Sequence, residues 1–172
     1  MEEKEIIRRC QENDLSAYKM IYDRYEQPLL HTALRILGQQ QDAEDAVQTT
    51  FLKLYRGIHN YRLDSKFSTY LFRILINHCY DLLRKKRKAR IQPIEEAHLA
   101  QDSMNDVRLY LEKAISTLPE KMRACFVLFA VEQFKLREIA QILEISLGAV
   151  KANVFHAKRH LRSRLSDNQV KE

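Results

Sequence analysis

Apolar residues recur at intervals of three and four along nearly the whole chain, and strict alternation is rare. That spacing matches the turn of an α-helix and argues against strands that bury one face. Ala17, Ile21, Tyr25, Leu29, Ala33 and Leu37 form one such stripe. Val150, Val154, Ala157, Leu161 and Leu165 form another. Only three glycines and three prolines punctuate 172 residues, so the helices are long and their joints short. The chain reads as all-α.

The spacing predicts helices over 3–10, 15–37, 42–57 and 67–90, with Pro28 kinking or breaking the second and Gly38 stopping it. Residues 58–66 lack periodicity and read as a loop. A polar, aperiodic stretch with Pro93 follows, over 91–106, and reads as a flexible linker. Beyond it a helix is expected over 107–115, and another opens at Pro119, a residue that suits the first helical turn. The expected organisation is two small helical domains, 1–90 and 107–172, joined by that linker.

Charge is segregated. Arg84 to Arg90 reads RKKRKAR, six basic residues in seven, whereas Asp42, Glu44 and Asp45 make an acidic knot. From Ser146 to Ser166 there are five Lys or Arg and no acid. Such a distribution suits a protein that meets a polyanion on one surface and another protein elsewhere. Cys10, Cys79 and Cys125 lack the spacing of a zinc site or a disulfide frame and read as reduced thiols of a cytoplasmic protein. No apolar run is long enough to span a bilayer. No residue set suggests catalysis, a metal, a cofactor or a small-molecule substrate.

Leu136 to Leu165 fits a helix-turn-helix. Ile139, Ala140 and Leu143 face one side of a short helix, Glu144-Ile145 make a break, and Ser146 is a good N-cap for the next helix. That second helix keeps its apolar stripe inward and leaves Lys151, Asn153, His156, Lys158, Arg159 and Arg162 on the remaining surface. A helix of this kind enters a major groove and neutralises the flanking phosphates. Tyr61, Phe67, Tyr70 and Phe72 cluster beside polar Arg62, Asp64, Ser65 and Asn77. Aromatics next to a basic helix can stack on unpaired bases, although Phe72 reads as core.

These residues carry a resemblance. DAEDAVQTTFLKLYRGIHNY (Asp42 to Tyr61) with FSTYLFRILINHCYDLLRKKR (Phe67 to Arg87) resembles region two of the extracytoplasmic-function sigma factors of bacterial RNA polymerase. LPEKMRACFVLFAVEQFKLREIAQILEISLGAVKANVFHAKRHLR (Leu118 to Arg162) resembles their region four.

The resemblance implies a factor that binds core polymerase, recognises a promoter and assists its melting. Asp45, Gln48, Phe51, Leu54 and Tyr55 would dock on the clamp helices of the β′ subunit. Tyr61, Arg62, Asp64, Ser65, Phe67, Tyr70, Arg73, Asn77, Arg84 and Lys85 would hold the separated −10 element. Ser146, Lys151, Ala152, Asn153, Phe155, His156, Lys158 and Arg159 would read the −35 element, and region four would also meet the β flap. An anti-sigma factor is the further partner implied. Tyr70 replaces a frequent Trp, Asn153 and His156 stand where Arg is common, and Glu144 replaces a frequent Gly. Read without the resemblance, the residues also fit a free-standing helix-turn-helix regulator.

Overall fold

Helix boundaries follow local chemistry throughout. The computed structural model of the protein describes residues 2–62, 65–89 and 106–169. Among them the helices are α1 (Glu3–Gln11), α2 (Leu15–Leu37), α3 (Gln40–Gly57), α4 (Phe67–Ala89), α5 (Asp106–Ser116), α6 (Glu120–Phe126), α7 (Leu136–Leu143) and α8 (Leu147–Gln169). A tight 3-10 turn, Ile58–Asn60, follows α3, and a π-helical turn, Val127–Val131, continues α6. No strand occurs among the described residues.

Asp14 caps α2 by accepting from the backbone of Ser16 at 2.8 Å and of Ala17 at 3.4 Å. The Ser16 hydroxyl and the Arg9 guanidinium also bind this carboxyl and pull its pKa down to about 2. At the other end Gly38 takes the left-handed conformation, φ 77°, and donates to the Leu34 carbonyl at 2.8 Å. Contrary to the possibility of a break, α2 runs through Pro28. An internal proline costs about 3 kcal/mol. Ala17 and Ile21 before it, with Leu29, Ala33 and Ile36 after it, are buried and hold both halves of the helix on one core.

Helices α2, α3 and α4 pack together, and α1 lies across α2 and the 3-10 turn. Ile6, Ile21, Leu29, Ile36, Leu54, Ile58, Leu71 and Leu75 are fully enclosed there. Each such side chain contributes roughly 1.5–3 kcal/mol of transfer free energy. In the second half α8 packs on α5, α6 and α7. Pro119 stands at the N-cap of α6 instead of in its first turn. The expected single helix beyond it widens at Val127–Val131, where Glu132 N donates to the Val127 carbonyl at 3.1 Å, five residues back.

The two halves share a face. Phe72 of α4 meets Phe134 edge-on at 4.9 Å, and buried residues from Ile6 to Val154 form one connected apolar cluster. Polar ties surround it. Thr32 donates to Glu132 at 2.9 Å, Lys66 pairs with Glu138 at 2.7 Å, and Arg35 pairs with Glu112. Arg123 spans two helix ends, donating to Ile36 O on α2 at 3.1 Å and to Ser116 O at the end of α5 at 2.7 Å. A cation at helix C-termini meets their negative ends. Between the halves lies an open cleft of about 370 Å³ bordered by Arg24, Tyr25, Pro28, Lys66, Phe134 and Glu138. The expected linker falls outside the described residues apart from Asp106, which begins α5.

Cys10, Cys79 and Cys125 are all buried. Loss of hydration raises their thiol pKa values, to about 11, 12 and 11 respectively. Among the described residues no helix is long and apolar enough to cross a membrane. Nor does any cluster of His, Cys, Asp and Glu there suit a metal ion.

Candidate nucleic-acid interface and docking face

The helix-turn-helix is built from its turn outward. Glu138 accepts from the backbone N–H of Lys135 at 2.8 Å and so fastens the start of α7. Glu144 ends α7 in the left-handed region, φ 54°, letting Ile145 N donate back to Ala140 O at 3.2 Å. Ser146 Oγ then accepts from Ala149 N at 3.1 Å and opens α8. Val150, Val154, Ala157 and Leu161 are buried, Leu165 is half-buried, and Ile139 and Ile142 of α7 are enclosed beside them.

That anchoring leaves Ser146, Lys151, Ala152, Phe155, His156, Lys158 and Arg159 exposed on one helix surface. Phe155 is 61% exposed, an uncovered aromatic amid cations. Its ring touches His156 at 5.5 Å, and Lys158 sits 4.6 Å from the Phe129 ring. Asn153 differs from the other −35 candidates. It is half-buried, and its amide donates to Ala149 O at 2.8 Å, which uses one of its two N–H donors and turns the group toward its own helix backbone.

The expected −10 residues divide into three groups. Tyr61 and Phe67 are buried and form a joint with Tyr25 and Tyr70. The Tyr61 ring lies 5.6 Å from Phe67 and 4.9 Å from Tyr70, and its hydroxyl donates to Ser65 O at 2.6 Å. Phe67, expected to touch the −10 element directly, is instead 2% exposed, its ring among those of Tyr25, Tyr61 and Tyr70. Tyr61 is likewise mostly enclosed, at 8% exposed. Tyr70 is half-buried, with Arg73 lying 6.0 Å from its ring centre, and burial raises the pKa of its phenol, so it stays neutral. A Cβ on Gly57 would meet the Tyr70 hydroxyl at 3.3 Å, so the small residue allows this close approach.

Arg62, Asn77, Arg84 and Lys85 are exposed, while Ser65 is half-buried. Arg84 pairs with Asp81, and Lys86 pairs with Asp42. Asp64 lies outside the described residues. Sequence reasoning placed Tyr25 only in the apolar stripe of its helix and passed over Lys66, which carries no mark beyond its charge.

On α3, Asp45 and Gln48 are exposed on the same face as Tyr55, 48% exposed, and Leu52, 58% exposed. Phe51 is half-covered by Tyr22, ring to ring at 4.7 Å, and Tyr55 rests on Tyr18 at 5.0 Å. Leu54 is 1% exposed and belongs to the core, which corrects its expected place in a docking surface. Leu52 and Tyr22 are exposed instead. Their three- and four-residue spacing from Gln48, Tyr55 and Tyr18 was the signal available in the sequence.

Both halves of the chain resemble known proteins. Residues 21–89 match the family model of Sigma-70 region 2, and residues 108–161 match that of Sigma-70, region 4. The ECF RNA polymerase sigma factor SigW of Bacillus subtilis is 30% identical over 95% of this chain and 97% of its own. The sigma-H factor of Pseudomonas aeruginosa is 26% identical over 91% of this chain and 90% of its own. Among solved structures, the sigma factor RpoE of Bartonella quintana, in complex with the anti-sigma factor NepR, superposes with a TM-score of 0.74. That match has 24% identity and covers 87% of this chain and 96% of the other. CnrH, in complex with the cytosolic domain of CnrY, gives a TM-score of 0.73 at 22% identity, covering 94% and 96%. The chain belongs to the ECF sigma factors of RNA polymerase.

Proposed function

We propose that this chain works in the cytoplasm, binds core RNA polymerase and brings it to a two-part promoter. The outer face of α8 reads the −35 element from the major groove. The surface around Tyr70, Arg73 and Asn77 holds an unpaired base of the −10 element, supported from beneath by Tyr61 and Phe67. Asp45, Gln48, Leu52 and Tyr55 dock on the β′ clamp helices, with Phe51 supporting them, and the second half also meets the β flap. No covalent step belongs to this chain.

The observation that carries this reading is the surface of α8. Cations and an uncovered Phe155 share residues 147–166 of α8, a stretch without an acid whose opposite side is locked into the core. A phenyl ring there can contact thymine methyls while Lys151 and Arg159 meet phosphates. Alone, such a helix binds DNA only at about 10⁻⁴ to 10⁻⁶ M. Docking on polymerase presents the two DNA-contacting surfaces together, which raises the effective concentration of each. The exposed apolar Leu52 and Tyr55 favour this reading over a free-standing regulator, since they form a second face suited to a protein partner. The solved sigma factor RpoE of Bartonella quintana is bound by the anti-sigma factor NepR, which supports a sequestering protein of that class as a further partner.

The test is run-off transcription with core polymerase on promoters selected from a random library. Lys151→Glu abolishes −35-dependent transcription while core binding persists, and Asp45→Lys impairs core binding while the fold holds. A chain that never joins core polymerase defeats the reading.

A further inference from the structure

Helix α1 precedes the stretch matched to region two, which begins at residue 21, yet it grips the segment leading to the −10 surface. Gln11, at its end, donates from Nε2 to Ile58 O at 3.0 Å and to Tyr61 O at 3.1 Å. Ile58 opens the 3-10 turn and Tyr61 follows it, so one amide ties both ends of that turn. The tie fixes the direction in which Tyr61 leaves α3. Tyr61 passes this on through its hydroxyl bond to Ser65 O and its ring contacts with Phe67 and Tyr70.

The brace is itself held firmly. Ile6, Ile7 and Cys10 bury one side of α1. On the same helix Glu3 accepts from the Tyr25 hydroxyl at 2.6 Å, and the Tyr25 ring meets Phe67 at 5.7 Å. Thus α1 reaches the aromatic joint from two directions, through Gln11 to Tyr61 and through Glu3 and Tyr25 to Phe67.

We propose that Gln11 is a positioning residue for promoter opening: it holds the Ile58–Tyr61 turn so that Tyr61 supports Tyr70 in the geometry that receives an unpaired base. This rests on the base-capture reading given above. A surface already set in its bound geometry loses less freedom on binding, so the gain appears as affinity for single-stranded DNA.

Gln11→Met removes the donor and keeps length and charge. The full-length variant, assembled with core polymerase, is titrated with a single-stranded non-template oligonucleotide carrying the −10 element of a promoter selected by the parent holoenzyme. Affinity falls on the order of tenfold, as for the loss of two neutral hydrogen bonds. Affinity for core polymerase and for duplex −35 DNA stays within about twofold, since a distant site responds independently. Trypsin cuts faster after Arg62 in the variant. Unchanged single-strand affinity overturns the proposal, as does an equal fall in all three affinities, which marks general destabilisation. Tyr70→Ala separates the levels: a loss there with none in Gln11→Met removes the positioning role alone, and no loss in either removes base capture with it.

Discussion

Arg35 on α2 and Glu112 on α5 join the two halves by a two-point ion pair, with Nη2 to Oε1 at 2.7 Å and Nε to Oε2 at 3.1 Å. Both side chains are mostly covered, and the paired geometry suits a guanidinium better than an ammonium. Arg35→Lys therefore weakens closure of the halves, and Arg35→Met weakens it by about 1 kcal/mol. X-ray scattering of the free chain reads this as a larger radius of gyration in the Met variant. Identical scattering at low and high salt would show that the apolar contacts alone hold the halves.

Glu132 gives the same interface a pH dependence. Burial raises its carboxyl pKa, opposed by the Thr32 hydroxyl and by Arg35 and His31. A raised acid binds its proton more tightly in the folded chain, so stability falls as pH rises from the ordinary carboxyl value through the raised one. Asp14 acts oppositely: its lowered pKa contributes stability that is lost as pH falls below about 4 toward about 2. Glu132→Gln keeps an acceptor for Thr32 and removes the buried charge. Its melting temperature rises near neutral pH, and the gain shrinks in mild acid. A gain that is constant with pH would exclude the carboxyl as its source.

Neighbouring residues on α3 separate stability from docking. Leu54→Ala opens a cavity in the core and costs about 2–5 kcal/mol, measured by urea unfolding. Tyr55→Ala, on the exposed face, changes stability by no more than about 0.5 kcal/mol but weakens capture of core polymerase. Equal effects of the two on unfolding would overturn this division.

Glu144 occupies a left-handed position where glycine has no steric penalty. Glu144→Gly stabilises the second half by about 1 kcal/mol, visible as a higher melting temperature. Its −35 affinity is unchanged at fixed salt. A lower melting temperature would mean that the Glu144 side chain makes a compensating contact.

The helices, the Gly38 stop, the Ser146 cap and the inward stripe of α8 were legible because each depends on residues within a few positions. The burial of Leu54 and Phe67 was not, because periodicity marks an apolar face without saying which of its members a neighbouring helix covers. The passage of α2 through Pro28 and the widened turn at Val127 depend on packing from both sides, which no local pattern records. The shared face of the halves likewise depends on residues far apart in the chain: Thr32 and Glu132 are separated by 100 positions.

The enclosed thiols of Cys10, Cys79 and Cys125 have a physiological consequence. Oxidants and electrophiles react with thiolate, and at neutral pH these sulfurs are protonated and shielded from solvent. Burial and protonation thereby slow the attack of peroxide and alkylating agents on these cysteines in the folded chain. Chemistry at these sulfurs therefore requires the helices around them to part first.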